Sequence, residues 1–216
     1  MQKNRWLFTK LLEDKSPSKI IAYLGVIAAF CTVVNFIEFS ISVDVQFSLT
    51  MVVAMLTGIL IGPIFGFGAC FLGDFVGFLL ISKGTVYMPW GGLSVATFAF
   101  LSGVIFHILP GKGKGAMWWK IPLLIVSSFL ICTIAINSTG FFLYNKALGF
   151  SDAVEGFVTE HFGKDVFFFA YVVYRLFFKM QIINSIINYV LLALLLPFLA
   201  RFKLLKLEFY ANSHRN

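Results

Sequence analysis

Apolar runs of about one bilayer thickness alternate with short polar segments along nearly the whole chain. A helix needs about 20 apolar residues to cross the hydrocarbon core. The runs predict helical spans over about 20–37, 49–61, 64–81, 93–109, 121–141 and 167–199. The last exceeds one bilayer, so its outer end must project or the helix must tilt. The segment 38–48 has a different period. Phe39, Ile41, Val43, Val45 and Phe47 alternate with Ser40, Ser42, Asp44 and Gln46. Period two predicts an extended strand or small hairpin at the surface. Gly62-Pro63 forms a tight turn between the second and third spans, and 82–92 reads as a loop. Residues 144–166 contain the longest polar stretch and read as an outer loop, with Asp152, Glu155, Glu160, His161 and Asp165. Residues 1–19 set Trp6, Leu7, Leu11 and Leu12 among lysines and an arginine, the pattern of an interfacial amphipathic segment. Residues 200–216 form a basic tail.

Composition turns this pattern into a membrane assignment. Hydrophobic residues make up 59% and charged residues 12%, against about 25% charged in soluble domains. Mean hydropathy is +0.90. The chain is therefore read as an all-α integral membrane protein of the cell membrane. The first fifteen residues are too charged for a secretory signal peptide. Lysine and arginine set the orientation. Segments 1–19, 112–120 and 201–215 hold twelve of these cations, whereas the loops 38–48, 82–92 and 144–166 hold three. Six transmembrane helices with both termini cytoplasmic and those loops extracellular satisfy the bias. The net charge of +7 is then a property of cytoplasmic loops, and no nucleic-acid partner is expected.

Candidate chemistry is confined to a few polar residues in apolar surroundings. Asp74 lies inside the third span, and a carboxylate there is costly and by default functional. Tyr87, Met88 and Trp90 lie in the loop above it. Asn137 is near the outer end of the fifth span, and Arg175 and Lys179 are one turn apart in the sixth. All are placed at the outer side, as a pocket with aromatic walls and a few polar anchors requires. Arginine offers a planar fork to a carboxylate or phosphate, and lysine a point charge. Structural alternatives stand beside this reading. Asp74 could pair with Arg175 or Lys179, the cations could snorkel toward headgroups, and Trp90 and Tyr87 could be interface anchors. Gln181, Asn184 and Asn188 share one stripe and suit an interhelical hydrogen-bonded seam. Cys31, Cys70 and Cys132 lack metal-ligand spacing and read as buried hydrophobes. The chain lacks a Walker lysine motif, a zinc-protease helix and a nucleophile elbow, so neither a catalytic role nor a bound cofactor is expected.

Three local patterns carry a family resemblance. Gly25-x-x-x-Ala29 puts two small residues on one face of the first span. Gly58-x-x-x-Gly62-Pro63-x-x-Gly66 is followed by Gly73-Asp74-x-x-Gly77. Tyr87-x-Pro89-x-Gly91-Gly92-Leu93-Ser94 precedes the fourth span. Together with Asn137-Ser138 and Arg175, these resemble the substrate-binding S component of energy-coupling factor (ECF) transporters, most of all the folate branch. The resemblance implies capture of a water-soluble vitamin from outside. It also implies docking on an EcfT-type membrane coupling protein driven by two EcfA-type ATPases. Gly25 and Ala29 would be the docking face, although the family motif begins with alanine. The long 144–165 segment suits a bulkier ligand, so folate and cobalamin both remain open. A stand-alone secondary transporter would more often show repeats or broken helices. A membrane scaffold would leave Asp74, Arg175 and Lys179 as structural pairs.

Overall fold

The computed structural model describes residues 9, 12, 15–36, 38–40, 46–81, 86–111, 114–163 and 165–199. Most of the amphipathic segment 1–19 and the whole 200–216 tail lie outside the described residues.

Helix α1 is Pro17–Phe36, and strands β1 Glu38–Ser40 and β2 Gln46–Ser48 follow. They pair antiparallel with Phe39 opposite Phe47, as the period-two segment predicts. Helix α2 is Thr50–Ile61, α3 Pro63–Ile81 and α4 Pro89–Gly103, the last continued by a π-helical turn over Val104–Ile108. Helix α5, Lys114–Ser128, runs through a π-helical stretch, Phe129–Ser138, into α6, Thr139–Leu148. Helix α7 is Asp152–Phe162. Helix α8 is Phe168–Val173 with a π turn over Tyr174–Phe178, and α9 is Gln181–Leu199.

Among the described residues, five helical stretches are long and apolar enough to cross a membrane: Pro17–Val34, Pro63–Leu80, Pro89–Ile108, Gly115–Leu148 and Gln181–Phe198. Thr50–Ile61 and Phe168–Phe178 are shorter apolar helices. The chain is a multi-pass helical membrane protein.

Three expectations change. Residues 144–166 are largely helical rather than a loop, because α6 reaches Leu148 and α7 occupies Asp152–Phe162. Gly149, at φ 102°, turns the chain between them, a conformation that suits glycine. Val154 and Val158 then bury on α7. The long sixth run is two helices, broken where Met180 takes φ 49°. Its polar residues Arg175, Lys179 and Gln181 mark that break. The 82–92 loop ends early, since α4 starts at Pro89, where the missing N–H costs nothing.

The core centres on α4, which packs against α3, α2 and the π-helical stretch after α5. Close approach of α2 and α4 depends on Gly58. A Cβ there would fall on the Ala99 carbonyl and Ser102 Oγ. Ser102 Oγ reaches Met55 O at 3.1 Å and Ala99 O at 2.8 Å, so the small-residue contact is also hydrogen-bonded. Helix α1 packs on α3, with Thr32 Oγ1 donating to Gly73 O at 3.1 Å. Met55, Phe98, Leu124, Leu192 and Leu196 are buried at the centre. Val154, Val158, Ala170, Tyr171 and Tyr174 form a second cluster under α7. That cluster places α7 and α8 beside α6 and frames the site.

Candidate functional site

A cleft of about 500 Å³ lies between α6, α8, the start of α9 and the approach to α4. Its lining includes Met88, Tyr144, Tyr171, Arg175, Lys179 and Asn184. This volume falls in the range of about 300–1,000 Å³ typical of small-molecule sites.

Aromatic rings build its walls. Trp90 packs its ring on Phe141 and Tyr144, each with centroids 5.6 Å apart. Gly140 admits the indole, since a Cβ there would lie 2.6 Å from Trp90 Cβ and 2.7 Å from Cδ2. Tyr171 stacks obliquely on Phe142 at 5.6 Å, and its hydroxyl accepts a 2.8 Å bond from Asn145 Nδ2. These contacts fix the rings before any ligand arrives.

Arg175 is held by two contacts. Its Nη1 donates to Asn137 O at 3.1 Å, and the guanidinium sits 4.3 Å over the Phe141 ring. A hydrogen bond and a cation–π contact orient the fork without neutralising it. Lys179 lines the same cleft one turn on, beside the α8–α9 break. Gln181 and Asn184 place neutral amides at the start of α9. The cleft thus offers two cations, aromatic faces and amides to one occupant.

The sequence-derived candidates divide into groups. Met88, Arg175 and Lys179 line the cleft. Trp90 and Asn137 stand behind its wall. Trp90 supports Phe141 and Tyr144, and Asn137 supplies the carbonyl that holds Arg175. Trp90 Nε1 and Asn137 Oδ1 are buried with no hydrogen-bond partner among the described residues. Asp74 and Tyr87 are not among the lining residues. Tyr87 Oη donates to Asp74 Oδ2 at 3.0 Å, and its ring lies 5.3 Å from Phe75 and 5.0 Å from Phe78. Burial, and then the Asp74 carboxylate, push the Tyr87 phenol above its usual range. This pair ties the segment before α4 to α3. Sequence reasoning misses Tyr144 and Asn145, because the polar 144–166 stretch reads as a loop, and Tyr171 and Tyr174, because they read as apolar wall in the sixth run.

No family model matches the chain, and no curated protein matches it. Solved structures do. One is the crystal structure of FolT bound with folic acid, with a TM-score of 0.57 at 20% identity, covering 82% of this chain and 92% of that one. Another is the S component of a bacterial ECF transporter, with a TM-score of 0.50 at 15% identity, covering 87% of this chain and 99% of that one. The chain has the S-component fold. Within this S-component fold, α1 presents Gly25 and Ala29 outward, alongside the exposed side chains of Ile21, Val26, Phe30 and Val33. No described atom lies within 4 Å of a Cβ built on Gly25. Among the described residues the small-residue face is therefore not spent on internal packing, and α1 meets α3 through Cys31, Thr32 and Gly73.

Proposed function

We propose that the chain is the vitamin-capturing S component of an ECF-type importer and takes a folate-like ligand in the cleft. The observation that carries this reading is the convergence of Arg175, Lys179, fixed aromatic rings and neutral amides on one cleft of about 500 Å³. A folate has a flat heteroaromatic head, an aromatic linker and a dicarboxylate tail. Each part has a chemical counterpart in the lining. A corrinoid is far bulkier and carries no carboxylate pair for the cations, so the cleft favours folate over cobalamin.

The remaining parts of the proposal follow from topology. The chain crosses a bacterial plasma membrane six times, with the short α2 as one crossing, both termini cytoplasmic and the cleft opening outward. The exposed Gly25/Ala29 face of α1 docks on an EcfT-type coupling protein. Two EcfA-type ATPases supply the hydrolysis that this chain has no motif to perform.

The test is a titration of detergent-purified chain, followed by tryptophan fluorescence, with folic acid, 5-formyltetrahydrofolate, cobalamin, cobinamide, riboflavin, thiamine, biotin and pantothenate. Saturable quenching by a folate at nanomolar concentration supports the reading. Saturation by cobalamin instead transfers the site to a corrinoid. Silence across the panel in monodisperse protein overturns vitamin capture.

A further inference from the structure

The stripe Gln181, Asn184, Asn188 on α9 reaches from the cleft to the strand pair. Asn188 is fully buried, at 0% exposure. Its Nδ2 lies 2.8 Å from Ser48 O, 2.9 Å from Asn184 O and 2.9 Å from Asn184 Oδ1. An amide nitrogen carries two hydrogens, so three acceptors compete for two donors. The opposite amide orientation would set Oδ1 against three oxygens, so the surroundings fix this one. Asn188 Oδ1 itself has no hydrogen-bond partner among the described residues.

Two of the three acceptors are main-chain carbonyls, held by β2 and α9. The third, Asn184 Oδ1, belongs to a side chain that lines the cleft. It can leave without stranding either hydrogen of Asn188. Most buried polar groups are costly to detach because a partner is left unsatisfied. Asn184 escapes that cost.

We propose that Asn184 is a specificity-determining residue of the cleft and that Asn188 is its positioning residue. Asn184 turns its amide from Asn188 to the ligand and reads an edge that carries an N–H donor beside a C=O acceptor. This deepens the folate-like reading and rests on it. The α8 side of the cleft holds the cations Arg175 and Lys179, which take the carboxylate tail. The α9 side holds neutral amides, and an amide matches a donor–acceptor edge because it carries one of each. That edge is the amino-oxo side of the ligand's head ring.

The experiment measures Kd of the full-length chain for folic acid and for p-aminobenzoylglutamate, which keeps the tail and lacks the head ring. Leucine has nearly the asparagine shape with neither donor nor acceptor, so Asn184→Leu is expected to weaken folic acid about tenfold and to leave p-aminobenzoylglutamate unmoved. A ratio of the two Kd values within about twofold of wild type overturns the specificity role. Asn188→Ala is expected to weaken folic acid severalfold in the wild-type background and hardly at all in an Asn184→Ala background. Equal losses in both backgrounds make Asn188 merely structural and overturn its positioning role. The Asn184→Leu ratio stands even if Asn188→Ala does not fold. Wild-type chain that binds neither ligand brings down the folate-like reading and this one together. Wild-type chain that binds both with an unmoved Asn184→Leu ratio brings down this one alone.

Discussion

Replacing Arg175 by glutamine separates a ligand-holding cation from a structural one. The guanidinium sits 4.3 Å over Phe141 and spends one N–H on Asn137 O. Glutamine can still donate to that carbonyl. The substitution loses a cation–π contact of about 0.5–2 kcal/mol. It also relieves the desolvation of a partly buried charge, which runs to several kcal/mol per ion. The desolvation term is the larger of the two in the empty protein, so thermal stability should not fall below wild type. With ligand present, nothing offsets the loss. A hydrogen bond to a charged group contributes about 1.5–3 kcal/mol, which converts to a roughly 10- to 150-fold rise in Kd. Arg175→Lys keeps the charge without the fork and should fall between. The assay pairs a folic acid titration with a thermal melt of the empty protein. The pterin ring without its glutamate tail is the control, and it should bind weakly and equally to wild type and Arg175→Gln. Two outcomes refute the reasoning: an unchanged Kd for folic acid, or an equal loss for the tail-less ring. A large fall in melting temperature with unchanged affinity would make Arg175 a structural residue.

Other expectations are tested separately. Gly58→Val forces a side chain onto the Ala99 carbonyl, so overpacking of about 1–3 kcal/mol should lower the melting temperature, while Gly68→Ala, where a Cβ meets no atom of the described residues within 4 Å, should leave it unchanged or raised. Gly25→Leu with Ala29→Leu should preserve folding and ligand affinity but abolish co-purification with the coupling protein and ATPases; retained association removes the docking face. Tyr87 keeps its proton above the ordinary phenol value of 10.0 because of burial and then the Asp74 carboxylate. The unfolded phenol ionises first, so its contribution to stability is complete below pH 10 and is lost as pH rises beyond it. Tyr87→Phe should flatten that alkaline loss in melts across pH 8–11 and cost about 1 kcal/mol at neutral pH from the broken bond to Asp74; an unchanged alkaline slope rejects the assignment.

The membrane character and most helix positions were legible because hydropathy acts over whole segments. The strand pair was legible because Phe39 and Phe47 fall on one parity of a period-two pattern. Local signals fail where polarity reads as a loop. Val154, Phe157, Val158 and Phe162 already follow a helical period between Ser151 and Gly163, so α7 was present in the sequence beneath its acidic residues. The break at Met180 was harder to see, since neither glycine nor proline marks it. The site divides in the same way. Asp74 drew attention because a carboxylate among apolar residues is costly, yet it accepts a bond from Tyr87 and is not among the residues that line the cleft. Arg175 and Lys179 drew attention for the same reason, and they line the cleft. Charge in an apolar segment marks a residue that needs a partner. Only the fold says whether that partner is thirteen residues away in the same chain or a molecule from outside. Asn184 shows the converse. As an uncharged side chain at helical spacing it reads as part of a seam. Its distinction, an acceptor that can be withdrawn from an oversubscribed amide, depends on Ser48, 140 residues from Asn188, and no local pattern could carry it.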